Sequence, residues 1–212
     1  MKRLVVDADP GIDDALAIMM ASAHPHTALH AITTVAGNVS LKHTSANACK
    51  LVEFLGLDVP VYAGCAEPLL GAPCEDAASF HGSDGLGDAG IPLASVKPSP
   101  GHASNAICSI ADKYPQDVEL VALGPLTNIA VALMLDPDLP EKYQGLTIMG
   151  GAIRAQGNTA NYTAEYNFYR DPDAASIVLA RWPMVKIVDW ETTLAYPVDT
   201  NVLTRIFATK SK

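Results

Sequence analysis

Four acids crowd one short segment of the sequence. Asp7, Asp9, Asp13 and Asp14 all fall within Asp7-Ala8-Asp9-Pro10-Gly11-Ile12-Asp13-Asp14. A turn leading into a helix accounts for one or two of them, because negative charge is favoured at a helix N-terminus. It does not account for four. Carboxylates packed this closely raise one another's pKa unless a cation sits among them. An all-oxygen, carboxylate-rich set suits Ca²⁺ or Mg²⁺ better than zinc, which prefers nitrogen and sulfur. A hard divalent cation is therefore the expected occupant. Further polar residues follow other apolar runs. They are Asn38 in Ala36-Gly37-Asn38-Val39, Thr127 and Asn128 in Gly124-Pro125-Leu126-Thr127-Asn128, and Asn158, Asn161, Glu165 and Asn167 beyond Gly150-Gly151.

The elements that must position these residues alternate in type. Short β-branched runs at Leu4–Val6, Leu29–Val35, Val59–Tyr62, Val118–Leu123, Leu146–Met149 and Val185–Val188 read as strands. Segments 13–23 (with Met and Ile on an apolar face), 41–56, 102–114, 127–135 and 172–181 read as helices. Alternating β and α with nearly continuous apolar strands implies an α/β fold, doubly wound, with a mainly parallel central sheet and helices on both faces. Ligands of such sheets bind beyond the carboxyl ends of the strands, which is where the acids and carboxamides fall. The Gly- and Pro-rich stretch 64–101 is expected to be a flap or excursion, and the prolines of Asp136-Pro137-Asp138 and Asp171-Pro172-Asp173 are expected to start helices.

Composition narrows the classes further. With 212 residues, 49% apolar and 17% charged, the chain has ample core and is not a disordered polymer. A net charge of -9 disfavours a nucleic acid partner. Cysteines 49, 65, 74 and 108 show neither a disulfide framework nor zinc spacing. The first residues turn acidic before a signal-peptide apolar region forms, and the uncharged stretches 15–41 and 120–135 are too interrupted to span a bilayer, so no membrane partner and a cytoplasmic location are expected.

Asp7-x-Asp9 after an N-terminal strand also fits a haloacid-dehalogenase-type phosphotransferase, in which the first Asp is the nucleophile. Such enzymes usually carry Thr or Val where this sequence has Gly11, and the later Lys and paired acids lack good counterparts. Asp7-Ala8-Asp9-Pro10-Gly11-Ile12-Asp13-Asp14-Ala15 instead resembles the signature of the inosine–uridine-preferring nucleoside hydrolases. The likeness continues in order through Gly37-Asn38-Val39, His81-Gly82-Ser83-Asp84-Gly85-Leu86-Gly87, Leu123-Gly124-Pro125-Leu126-Thr127-Asn128, Met149-Gly150-Gly151-Ala152 and Ala164-Glu165-Tyr166-Asn167.

The resemblance implies a calcium-dependent N-ribohydrolase of nucleoside salvage, forming homodimers or homotetramers and splitting a ribonucleoside into ribose and base. It implies Ca²⁺ held by the side chains of Asp9 and Asp14 and the carbonyl of Thr127. Asp9 would take the proton of a calcium-bound water, with Asn38 near that water and the sugar. Asp13, Asn158, Glu165 and Asn167 would hold ribose hydroxyls, Met149 would pack on the sugar, and Asp7 would be a supporting acid. His81 could touch the base or face solvent, Asn158 and Asn161 compete for one role, and Trp190-Glu191 could line the base pocket.

Members of that family run beyond this length, and their C-terminal part supplies a further calcium-binding Asp. The expectation is one nucleoside hydrolase-like domain over 1–212, C-terminally incomplete, with weakened calcium binding and an exposed apolar face. Asp189, Glu191 and Asp199 are the acids placed to stand in. A ribose- or calcium-binding remnant without turnover is the competing non-enzymatic reading.

Overall fold

The apolar run Leu4-Val5-Val6 forms the centre of strand β1 (Lys2–Ala8), at the middle of the sheet in a computed structural model that describes residues 1–71 and 76–209. The chain continues through α1 (Ile12–Ala23), β2 (Thr27–Thr34), α2 (Leu41–Phe54), β3 (Val61–Ala63), α3 (Ala78–His81), α4 (Ala103–Lys113) and β4 (Val118–Ala122). It ends with α5 (Thr127–Leu135), α6 (Leu139–Lys142), β5 (Gly145–Met149), α7 (Tyr166–Arg170), α8 (Pro172–Arg181), β6 (Val185–Val188), α9 (Trp190–Ala195) and α10 (Thr200–Ala208). The strands lie in the order β3-β2-β1-β4-β5-β6, and every neighbouring pair is parallel. In this doubly wound order the winding reverses between β1 and β4, and the crevice at their carboxyl ends is where such folds take ligands.

Alternation along β1 separates two cores. Leu4, Val6 and Ala8 pack with Ile18 of α1 and Ala48 and Val52 of α2. Val5 packs on the other face with Leu120, Ile148, and residues of α4, α5 and α8 such as Ile107, Ile129, Leu133 and Val178. Each large side chain sealed this way contributes about 1.5–3 kcal/mol. Both faces are covered by helices, as the unbroken apolar strands require.

Several local expectations need correction. The apolar residues of α1 divide: Ala15 and Ile18 are buried, whereas Ile12, Leu16 and Met20 form an exposed stripe at helical spacing. Helix α2 stops at Phe54, two residues early, because Gly56 adopts the left-handed conformation (φ 62°) that terminates helices. Pro172 opens α8 behind the Asp171 cap, but Pro137 does not start a helix; α6 follows the Asp138 cap with Pro140 in its first turn. The excursion 64–101 contains α3, and the polar loop before Tyr166 leads into α7, which the sequence pattern did not signal. Cys49, Cys65 and Cys108 are free thiols, and Cys74 lies outside the described residues. No helix among the described residues is long and apolar enough to cross a membrane.

Candidate functional site

Asp9 is the first residue beyond β1, at the crevice, and its carboxylate is almost wholly buried. Its Oδ2 accepts the backbone N–H of Asn38 at 2.7 Å. Asn38 Nδ2 donates to the Asp9 carbonyl at 3.2 Å and to Asp14 Oδ2 at 3.1 Å, so one carboxamide spans both acids. Asp14 sits in the first turn of α1, where Oδ2 also accepts the Gly11 N–H at 3.1 Å. The capping reading of this acid is thus half correct. Each carboxylate commits Oδ2 to the protein, while Asp9 Oδ1 and Asp14 Oδ1 are buried with no hydrogen-bond partner among the described residues.

Burial pushes the Asp9 carboxyl well above its ordinary value, and the charge of Asp14 adds to the rise. Asp14 is raised in the same direction, by burial first and then by Asp13. Buried like charges with unsatisfied oxygens are an arrangement that a cation relieves. The surroundings are tight: a Cβ at Gly124 would lie 2.5 Å from Asp9 Oδ1, and one at Gly37 would collide with Oδ2. Among the described residues no three His, Cys, Asp or Glu side chains gather as a ready-made metal cage. A cation here would draw on two carboxylates, with its other oxygens coming from backbone, water or substrate. The donor set fits a hard cation on those terms.

Asp7 does a different job. It faces Thr33 in the β1–β2 register, and its Oδ1 accepts from Thr33 Oγ1 at 2.6 Å and Asn128 Nδ2 at 2.8 Å. Burial pushes its carboxyl up to about 7, against the pull of those two hydrogen bonds. Its Oδ2, like Asp9 Oδ1 and Asp14 Oδ1, is buried with no hydrogen-bond partner among the described residues, but with no exposed surface Asp7 is not presented as a nucleophile, and nothing here supports the phosphotransferase reading.

The second half of the chain supplies the facing wall. Asn167, buried on α7, donates through Nδ2 to the carbonyls of Leu123 (2.7 Å) and Met149 (3.1 Å) and lies 3.3 Å from the Met149 sulfur. Its Oδ1 accepts no side-chain or loop hydrogen bond among the described residues. Glu165 caps α7: Oε1 accepts from Asn167 N, and Oε2 from Gly151 N and Phe168 N. Burial raises its carboxyl, and those backbone donors oppose the rise.

Other expected site residues are placed less centrally. Thr127 opens α5 and donates its hydroxyl to Asp171 Oδ2 at 2.7 Å, and Gly124 in the turn before it lies against Asp9. Asp13 is mostly exposed, 3.8 Å from His81 Nδ1. His81 Nδ1 accepts the Ile12 N–H at 3.2 Å, which fastens the excursion to the acidic turn. Asn158 is exposed and its Oδ1 accepts the Tyr166 N–H at 2.8 Å, whereas Asn161 Oδ1 caps its own turn through Thr163 and Ala164. The three late acids have local duties: Asp189 and Asp199 cap α9 and α10, and Glu191 accepts from Ile153 N and Arg154 N. Trp190 is half-buried; the sealed indole is that of Trp182.

Asn128 and Asp171 escaped the sequence reading as organisers. Asn128 donates to Asp7 Oδ1 and Thr34 O and accepts the Cys65 N–H at 2.8 Å, and Asp171 joins Thr127, Leu69 N and Ala174 N. The signals for Asn128 were its place after a strand and at the end of the Leu123–Asn128 motif, and for Asp171 its place before Pro172.

Comparison with known proteins agrees with the fold and the motif order. The family model described as inosine-uridine preferring nucleoside hydrolase matches residues 4–212. Uridine nucleosidase 1 of Arabidopsis thaliana is 41% identical over 188 residues, covering 88% of this chain and 56% of its own. The non-specific ribonucleoside hydrolase RihC of Escherichia coli O127:H6 is 43% identical over 175 residues, covering 82% and 57%. A solved inosine-guanosine nucleoside hydrolase superposes with a TM-score of 0.93 at 36% identity, over 100% of this chain and 69% of that one. The chain thus spans little more than half the length of those two curated relatives. With the model matching almost end to end, the chain belongs to the inosine-uridine preferring nucleoside hydrolase family.

Proposed function

We propose that the chain carries the catalytic half-site of a nucleoside N-ribohydrolase, which cleaves the N-glycosidic bond of a ribonucleoside to ribose and free base. The observation that carries this reading is the pair of buried, unpartnered oxygens on Asp9 and Asp14 at the β1–β4 crevice, with Gly124 against Asp9 Oδ1 and Asn167 bonded to the adjoining Leu123 carbonyl.

Asp9 and Asp14 would hold a Ca²⁺ ion, with the backbone carbonyl of Thr127 as a third donor from the turn whose Gly124 lies against Asp9. Bound there, Ca²⁺ would supply a positive charge that acidifies a water and orients the ribose diol. Asp9 accepts the proton of the attacking water, as a base whose orientation is fixed by the Asn38 N–H. Asn167 Oδ1 accepts from a ribose hydroxyl, and Glu165 and the Met149 sulfur shape the sugar side of the pocket. Asn158 and Asp13 stand at its rim, with His81 closing over the acidic turn. Glycosidic cleavage builds positive charge on the ribosyl ring, which a carboxylate-rich, water-poor site stabilises. Assembly into homodimers or homotetramers in the cytoplasm belongs to the same proposal, and the exposed Ile12-Leu16-Met20 stripe supports it.

Release of reducing sugar from inosine and uridine, with and without a calcium chelator, tests the reading. Turnover that disappears on chelation and returns with Ca²⁺ is expected. Calcium binding without any ribose release would favour the binding-remnant alternative.

A further inference from the structure

Tyr166 sits between two residues already placed in the site, Glu165 and Asn167, yet its side chain reaches in another direction. Its hydroxyl donates to the carbonyl oxygen of Gly37 at 2.9 Å, joining the start of α7 to the loop after β2. That carbonyl belongs to the same peptide unit as the Asn38 N–H, and the Asn38 N–H donates to Asp9 Oδ2 at 2.7 Å. A trans peptide points its C=O and N–H in opposite directions. One planar group therefore has Tyr166 on one side and the Asp9 carboxylate on the other.

We propose that Tyr166 is a positioning residue for Asp9, acting through the Gly37–Asn38 peptide. The inference rests on the reading of Asp9 as the base. Three observations carry it. The peptide is pressed against the carboxylate, because a Cβ at Gly37 would collide with Asp9 Oδ2 and approach Pro125 Cδ at 2.9 Å. Tyr166 is itself held from behind, with its N–H on Asn158 Oδ1 and Glu165 capping the same helix turn. The Asp9 oxygen not engaged by the relay is the unpartnered Oδ1. Donation to a peptide carbonyl polarises the group and strengthens its N–H as a donor. The tyrosine hydroxyl thus fixes which oxygen of Asp9 is tied and which is presented. It also explains the role of Asn158, whose carboxamide holds Tyr166 in place.

The test is Tyr166→Phe, which keeps the ring and removes the donor. The Asn38 amide proton signal, followed by nuclear magnetic resonance on the full chain, should move upfield, and its hydrogen exchange should accelerate. With inosine or uridine as substrate, kcat should fall about three- to tenfold, the worth of one neutral hydrogen bond, while KM stays within about twofold. Incorporating 3-fluorotyrosine at position 166, a stronger donor, should move the Asn38 signal the opposite way and guards against a Phe variant that folds poorly. An Asn38 amide indifferent to both changes overturns the proposal, as does a rise in KM at unchanged kcat. A wild-type chain that releases no ribose while its Asn38 signal responds as expected overturns the catalytic reading of Asp9 and leaves the clamp standing.

Discussion

Asn128 Nδ2 lies 2.8 Å from Asp7 Oδ1, so the first turn of α5 is bonded to the last turn-facing acid of β1. The same carboxamide reaches Thr34 O and accepts the Cys65 N–H, which gathers the ends of β1, β2 and β3 around one side chain. The Asp9 turn begins two residues beyond Asp7, so its footing depends on this junction.

Asn128→Ala removes all three bonds at once. Each buried partner left without a bond costs about 1–3 kcal/mol, so the expected loss of stability is at least about 2 kcal/mol. Urea unfolding followed by circular dichroism should show a lower midpoint with an unchanged slope. An unaltered midpoint would mean that water replaces the carboxamide without penalty.

Gly124→Ala places a methyl group 2.5 Å from Asp9 Oδ1, the oxygen assigned to the cation. Backbone and carboxylate must move apart, and overpacking of this kind typically costs about 1–3 kcal/mol. Calcium affinity measured by titration calorimetry should fall more than thermal stability does. Equal calcium binding by the variant and the parent chain would contradict the placement of that oxygen.

Asp9→Asn and Asn167→Ala should separate rate from recognition. The Asp9 amide cannot take a proton from water, and a general base typically contributes about 10²–10⁴-fold, so kcat should fall by that order with little change in KM. Removing the Asn167 carboxamide should weaken ribonucleosides selectively, because a site that hydrogen-bonds a hydroxyl rejects substrates lacking it. Comparison of inosine with 2′-deoxyinosine reads this directly; equal losses on both would argue against a hydroxyl contact at Asn167 Oδ1.

Acid stability should depend on Glu119, at the opposite end of the sheet. Burial works to raise its carboxyl, but bonds from Lys2 and Thr147 and the nearby charge of Lys186 outweigh burial and leave it below the ordinary carboxylate value. The contribution is therefore present above the ordinary value of about 4.3 and is lost as pH falls through the lowered one. Thermal midpoints between about pH 6 and pH 3 should drop less steeply for Glu119→Gln than for the parent chain. Parallel curves would show that the cluster contributes nothing to acid stability.

Much of the site was legible because the parallel sheet converts position in sequence into position in space. A polar residue shortly after an apolar run lands on one edge, which is why Asp9 and Asn38 meet there. What periodicity does not encode is where a side chain turns at that edge. Asn158 follows the right strand, yet its carboxamide oxygen turns back to the Tyr166 N–H at the end of its own loop. Tyr166 reads as one more member of a motif, and its contact with Gly37 depends on two loops brought together only by the complete sheet. Helix ends failed for a local reason, as at Gly56, whose left-handed turn stops α2 while the amphipathic pattern runs on.

The strand order has a consequence for folding kinetics. Strand β1 pairs first with β2, its neighbour in sequence, but the crevice exists only once Arg3 stands beside Val118 and Asp7 beside Ala122. That pairing closes a loop of about half the chain, and contacts so distant in sequence form slowly. During refolding, the αβ half carrying Asp9, Asn38 and Asp14 can assemble early, while its ligand-facing wall waits for β4 and β5. Binding competence should therefore appear as a late phase, after most of the helical signal has returned.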